Sequence, residues 1–468
     1  MMLRKSLFAI VTMLLLVGTM QFQASGQPKP PNKKQLAKAT KLAKEGDEAF
    51  NKKKYREAIN KYFEAIGIVP FYPGAYYYKG YAHYNLKEYD QAIKDLSTAL
   101  TQGYKAIDVY KLRGYIYYEQ KDFSAVLSDT EQGLKLDPNN AYFYLLTGDA
   151  HRGLENFRAA LNAYKKASEI DPQNPNTYYF IALCHNELRE YAQQGEYARK
   201  AIQTASPFKG ESYDLLGQSL LAQKKYADAA DAYEQALVSK PNLINAYTNL
   251  GNLYRILNRY DDAISAVERG LKLYPNDGNL WVSLGWYRSL ANKHQDSITA
   301  SAQAVKLLPN EHMGWTNMCR AYYDLQQFES AVTACGNALK LSPDDGETHL
   351  YIARAYDKLK KKDSAAPSYT KAVTGLLKFT RDNPDDPDGF YLLGNAYYSV
   401  DQYPKAITAY QRSLELNPNF VLVRFNLGTT FVIQGDKTAA SRQYNALLKL
   451  DSDFAAKLNE LIKAMKLK

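Results

Sequence analysis

The residue types that most often carry chemistry are sparse in this sequence and poorly grouped. Among its six histidines, His83, His151 and His185 share one position of a recurring pattern. A metal bridging His151 and His185 is one reading. The other is that each histidine replaces a tyrosine as a half-buried aromatic. Cys184, Cys319 and Cys335 have no metal-ligand spacing. No HExxH, no glycine-rich phosphate loop and no GxSxG occurs. Aspartates and glutamates are scattered, with no pair set apart for acid–base work. No catalytic residue, metal or cofactor is therefore expected, and the chain reads as a non-enzyme. Tyrosine, by contrast, is abundant at 40 residues. It crowds into YYYKGYAHY, YKLRGYIYY and NTYYFIALC. Such rings offer an apolar face with a polar tip, which suits binding more than bond-making.

These residues must be positioned by helices. In Ile244–Asp277, Tyr247, Leu250, Tyr254 and Ile256–Leu257 recur at helical spacing, as do Ala263, Ile264, Val267 and Leu271. Asn258–Asp261 is a polar turn between the two runs, and Pro275 and Asn276 stop the second. The stretch is a helix–turn–helix hairpin. The stop prolines repeat it: Pro241, Pro275, Pro309 and Pro343 fall 34 residues apart, as do Pro138 and Pro172, and Pro384 and Pro418. Tyr104 takes one skipped slot after Pro70, and Pro207 lies one place late. Twelve hairpins begin near Ala39, Pro73, Ile107, Ala141, Pro175, Gly210, Ile244, Gly278, His312, Gly346, Pro387 and Val421. The column of Gly251 is mostly glycine (Gly46, Gly80, Gly114, Gly148, Gly217, Gly285, Gly394, Gly428) and that of Ala263 mostly alanine. Glycine within a helix costs roughly 1 kcal/mol against alanine, so a close helix crossing is implied. The aromatic column of Tyr247 is expected to fill the space beside it.

A 34-residue helical hairpin with these columns resembles the tetratricopeptide repeat. The resemblance covers about nine tenths of the chain. It implies an all-α fold, an α-solenoid of stacked hairpins in a right-handed superhelix, stabilised along its length rather than in one core. It also implies that the first helix of each hairpin lines a concave groove binding extended peptides or helical segments of other proteins. Carried over slot by slot, the groove side holds Tyr77, Tyr78, Tyr81 and Tyr84, then Lys111, Tyr115 and Tyr118, then Tyr179. Further on it holds Asn249, Asn252, Asn317, Arg320, Arg354, Asn395 and Asn426. The amides resemble the asparagine ladder with which arrays on glycosyltransferases hold a peptide backbone, because an amide both donates and accepts. Ser283, Tyr351 and Leu392 interrupt that ladder. The chaperone-type carboxylate clamp is absent. Tyrosine as plain amphipathic filler is the competing account of the aromatic half.

Met1–Gly26 pairs Arg4 and Lys5 with an apolar run from Leu7 to Val17 and ends in Ala24-Ser25-Gly26. This reads as a cleaved signal peptide over 1–26, since a bilayer span needs ~20 apolar residues. A short anchor is the alternative. A basic Pro/Lys-rich leader follows over 27–38, then the repeats over 39–452 and a capping helix over 453–468. Phe454, Leu458, Leu461, Ile462 and Met465 form the cap's apolar stripe. No stretch is left for a catalytic domain. The net charge of +10 falls to +8 once Arg4 and Lys5 are removed, which favours acidic partners. Nucleic acid is not expected outside the cytoplasm. No Asn-x-Ser/Thr acceptor occurs, which points to a bacterial periplasm or cell surface.

Two departures stand out. Cys319 takes the Gly251 slot and Cys335 the Val267 slot of one hairpin, which suggests a cross-helix disulfide; two small buried packing residues are the alternative. The repeat from Gly346 carries seven extra residues, two helical turns, after Pro367 in the first turn of its second helix. A ridge or a widened stack is expected there. The whole reads as an exported, non-enzymatic scaffold or adaptor. The alternatives are a glycan or cell-wall binder using the tyrosines, or an accessory subunit of a separate envelope enzyme.

Overall fold

The computed structural model describes residues 30–204 and 206–465. The signal-peptide assignment to Met1–Gly26 lies outside them. The fold is all-helical, with no strand among the described residues. The chain divides into two compact units at residues 150 and 151. The first contains α1 (Lys33–Asn51), α2 (Tyr55–Ile68), α3 (Pro73–Asn85), α4 (Tyr89–Thr101), α5 (Ala106–Glu119) and α6 (Phe123–Leu136), and α7 (Ala141–Gly153) runs past the division. The second continues with α8 (Phe157–Ile170), α9 (Thr177–Glu187), α10 (Tyr191–Gln203), α11 (Lys209–Ala222), α12 (Tyr226–Ser239), α13 (Ile244–Ile256), α14 (Tyr260–Leu273), α15 (Gly278–Leu290) and α16 (His294–Leu307). Then come α17 (Met313–Asp324), α18 (Phe328–Leu341), α19 (Gly346–Lys358), α20 (Lys362–Asp382), α21 (Pro387–Ser399), α22 (Tyr403–Leu416), α23 (Val421–Ile433), α24 (Lys437–Leu447) and α25 (Ser452–Lys463). Helix α1 starts six residues before Ala39, inside the stretch read as leader, because Asn32 and Gln35 form a reciprocal capping box there.

Each hairpin turns in the same way. One residue after the first helix adopts a left-handed conformation, as at Lys53, Lys87, Lys121 and Asn258 (φ 58–61°). The next amide reaches back five residues, Lys54 to the Ala49 carbonyl and Lys87's neighbour Glu88 to His83. This closes the helix end as a Schellman motif. The bond offsets the roughly 1–2 kcal/mol that a side-chain-bearing residue loses in that conformation.

At three positions the glycine column has a different partner from the one the sequence suggests. A Cβ on Gly46, Gly217 or Gly394 would meet the ring of Tyr62, Tyr233 or Tyr410, all from second helices. These rings are at most 1% exposed. Tyr247, from the column expected to fill that space, instead packs on Gly270. Within each unit, successive first helices also touch one another: α1 with α3 and α3 with α5, then α13, α15, α17 and α19 in turn. Successive second helices do not approach as closely. The first helices therefore line the inner side of each unit's curvature.

The seven-residue insertion is continuous helix: α20 has 21 residues where most second helices have 14. Pro367 is not in the first turn but inside the helix. It is exposed, so water can satisfy the Asp363 carbonyl that loses its amide partner. The extension does not simply protrude. Gly375 lies so close to the start of α19 that a Cβ would meet the Asp344 carbonyl and the Gly346 backbone. Backbone cannot step aside as a side-chain tip can. We expect Gly375→Ala to destabilise the second unit by about 1–3 kcal/mol through overpacking, although alanine is the better helix former by roughly 1 kcal/mol. A urea midpoint that stays put or rises would refute the close crossing.

At the carboxy-terminal end, α25 buries Ala455, Leu458 and Ile462 against α23 and α24. Leu461, assigned to that stripe, is 37% exposed because it lies at the stripe's edge.

Candidate functional site

In the first unit the inner face is aromatic. Helix α3 opens on Pro73, whose fixed φ suits a first turn. Tyr77, Tyr81 and Tyr84 then fall at i, i+4 and i+7, one face of the helix. Helix α5 adds Tyr115 and Tyr118. The rings form a chain of contacts: Phe50 to Tyr81 at 5.1 Å, Tyr81 to Tyr84 at 6.1 Å, Tyr84 to Tyr115 edge to face at 6.0 Å, Tyr115 to Tyr118 at 6.4 Å and Tyr118 to Phe123 at 6.2 Å. These spacings are those of aromatic pairs in contact. All the tyrosines of this strip are half-buried. Tyr77 stacks on Tyr104 at 4.4 Å, and Tyr78 on Tyr62 at 6.3 Å. Burial raises the phenol pKa of Tyr77 and Tyr84. Burial and Glu119 push that of Tyr115 up to about 12. The three therefore stay neutral hydroxyls near neutral pH. Phe50, Tyr104 and Phe123 join the strip without having been read as site residues. For Tyr104 the signal was an aromatic in a stop-proline slot.

In the second unit the inner face is polar, and its groups are largely engaged within the chain. Asn249 Nδ2 donates to the Tyr233 hydroxyl (3.2 Å), and the Tyr287 hydroxyl donates to Asn252 Oδ1 (2.9 Å). Asn317 Nδ2 donates to the Val282 carbonyl (3.0 Å). Asn395 Oδ1 accepts from both the Tyr410 hydroxyl and Asn426 Nδ2, each at 2.8 Å. Every amide assigned to the ladder thus spends one of its two ends on a neighbouring helix. Tyr179 stacks on Phe208 at 4.5 Å in this unit. Arg320 pairs with Glu347 and lies 5.5 Å from the Tyr351 ring. Arg255 donates to Asp388 and sits 4.6 Å over Trp286. Arg354 is half-buried on α19. Burial raises the carboxyl pKa of Asp388 and Glu347, although their arginines pull the other way. Arg255 Nε and Arg320 Nε and Nη1 are buried with no hydrogen-bond partner.

The remaining candidates are structural in their geometry. His185 Nδ1 lies 2.6 Å from Glu190, which also takes Arg158. Burial lowers the histidine's pKa, and the Glu190 carboxylate pulls the other way. No group of three potential ligands gathers among the described residues. Cys319 and Cys335 are joined as a disulfide across α17 and α18, their Cα atoms 5.1 Å apart. Cys184 is buried on α9. No described helix is long and apolar enough to cross a membrane.

Family descriptions of the tetratricopeptide repeat match residues 244–277 and 387–420, and also 44–106, 215–244 and 317–387; a further TPR repeat matches 148–185. Together they span more than half of the chain. The chain is 46% identical over 65 residues to the small glutamine-rich tetratricopeptide repeat-containing protein 2 of Saccharomyces cerevisiae, covering 14% of this chain and 19% of that protein. It is 34% identical over 86 residues to a UDP-N-acetylglucosamine–peptide N-acetylglucosaminyltransferase of Giardia intestinalis, covering 18% of this chain and 6% of that protein. The chain thus spans a minor part of both relatives. A crystal structure of a tetratricopeptide repeat protein from Parabacteroides merdae aligns with 55% of this chain and 99% of its own at 13% identity, with a TM-score of 0.45. With matched segments that together cover more than half of its length, the chain belongs to the tetratricopeptide-repeat proteins.

Proposed function

We propose that this chain is an exported, non-enzymatic scaffold that captures an extended or helical segment of a partner protein along the tyrosine strip of its first unit. The observation that carries this reading is the run of half-buried rings from Phe50 through Tyr81, Tyr84, Tyr115 and Tyr118 to Phe123. It crosses three successive hairpins and presents hydroxyls between apolar ring faces. A bound segment would gain stacking area and hydrogen bonds at little loss of side-chain entropy, because the rings are already packed against one another. The Asn249 and Asn317 amides are weaker anchors, since each already holds a neighbouring helix. The excess of positive charge favours a partner segment of acidic character.

The test is capture of partners from envelope extract by the full chain, with photo-crosslinkers placed along the strip. Tyr81→Ala with Tyr115→Ala should weaken capture at least tenfold, about 1.4 kcal/mol, with unchanged far-UV circular dichroism. Asn249→Ala with Asn317→Ala should weaken it less. Capture that survives both pairs would remove the inner faces from consideration. Stacked tyrosines also suit sugar rings, so a polysaccharide array on the same variants decides between a protein and a glycan ligand. Export predicts a mature chain beginning near Gln27, which amino-terminal sequencing reads directly.

A further inference from the structure

Two contacts in the second unit join positions far apart in the chain. Arg255 Nη1 on α13 donates to Asp388 Oδ2 on α21 at 2.5 Å, across 133 residues. Asn258 Nδ2 donates to the Asn419 carbonyl at 3.1 Å, across 161 residues. Helices α13 and α21 do not pack on one another. The hairpins between them curve round, and these two hydrogen bonds bridge the gap. We propose that the Arg255–Asp388 and Asn258–Asn419 contacts form a latch that holds the inner face of the second unit closed, and that releasing it lets the unit open.

The energetics place the closed form near balance. The Arg255 and Asp388 side chains are 13% and 21% exposed, so much of their attraction is cancelled by lost hydration. Burial works against the Asp388 charge strongly enough to raise its pKa despite the guanidinium beside it. Buried Arg255 Nε and Arg320 Nε and Nη1 have no acceptor in the closed form, which is a further penalty. The Trp286 ring under Arg255 and the Asn258 bond work in the other direction. Among the described residues, the buried apolar clusters that contain α13 and α21 are separate from one another. A small set of polar contacts across a curved stack of rigid hairpins is the kind of element that takes two discrete arrangements. Opening would return water to both guanidinium groups without breaking any helix–helix packing.

The latch is tested on the full chain with spin labels at Asp262→Cys on α14 and Glu415→Cys on α22, both exposed. The parent should give one short distance population. Asp388→Lys, which sets like charges face to face, should add a longer one while far-UV circular dichroism stays helical. Arg255→Glu in the Asp388→Lys background restores opposite charges and should restore the short distance. The milder Arg255→Gln should widen the distribution even if the lysine variant folds poorly. An unchanged distance in Arg255→Gln and Asp388→Lys overturns the proposal. So does a charge-swapped chain that stays open.

Discussion

Tyr410→Ala should lower the stability of the second unit by about 3–5 kcal/mol, the range for removing a large buried aromatic. The ring is 1% exposed and lies against Gly394, where no side chain can move in to fill the space. Its hydroxyl donates to Asn395 Oδ1, the oxygen that also takes Asn426 Nδ2. The substitution therefore opens a cavity between α21 and α22 and loosens a bond that ties α21 to α23. Tyr410→Phe keeps the volume and leaves Asn395 its second donor, so about 1 kcal/mol is expected. Long repeat arrays do not always unfold in one step. Urea unfolding should therefore be paired with amide exchange on α21–α23, where protection should fall first. A loss below 1 kcal/mol for the alanine variant would mean that the crossing relaxes around the missing ring, and that the glycine column is not there for the tyrosine.

Much of the fold was legible because it is written as a period. The stop prolines and the glycine column place the hairpins, and helices begin at Pro73, Ala141, Ile244, Gly278, Gly346, Pro387 and Val421 where that reading puts them. Which residues share one side of a first helix was also legible, since helical spacing groups them, as it does Tyr77, Tyr81 and Tyr84. What a column does not fix is reach. Every inner residue has a neighbour at the same height about 34 residues away, and the repeat itself supplies a competing partner. Tyr287 finds Asn252 and Asn317 finds Val282, each 35 residues away, so amides that suit a peptide backbone are drawn into the stack. The ring beside Gly394 was misassigned for a related reason: both helices carry aromatic columns, and spacing alone does not say which crosses the glycine. The Arg255–Asp388 pair was beyond reach altogether. It depends on a small rotation per hairpin accumulated over four hairpins, and no local spacing encodes that sum.

Removing the Cys319–Cys335 bridge should cost the second unit about 3 kcal/mol. The bridge closes a loop of 16 residues, and a loop of that length restricts the unfolded chain by roughly that amount. Both sulfurs are fully buried among Ala334, Ile352 and the flanking aromatics Trp315 and Tyr322. A reductant should therefore act slowly on the folded protein and quickly once urea opens the hairpin. Cys319→Ala with Cys335→Ala separates the entropy of the bridge from the packing of the two side chains. It adds a small cavity, so its loss should equal or exceed that of reduction. Under non-reducing digestion the parent should yield one linked peptide pair, and after denaturation Cys184 alone should react with a thiol reagent. The hairpin that carries the bridge also carries Arg320, the residue after Cys319. If the bridge also holds that helix in register, its loss should loosen the Arg320–Glu347 pair. Amide exchange at the start of α19 should then rise in the alanine variant beyond what the fall in global stability accounts for. Equal urea midpoints with and without reductant, in protein shown to be bridged at the start, would refute the stabilising role.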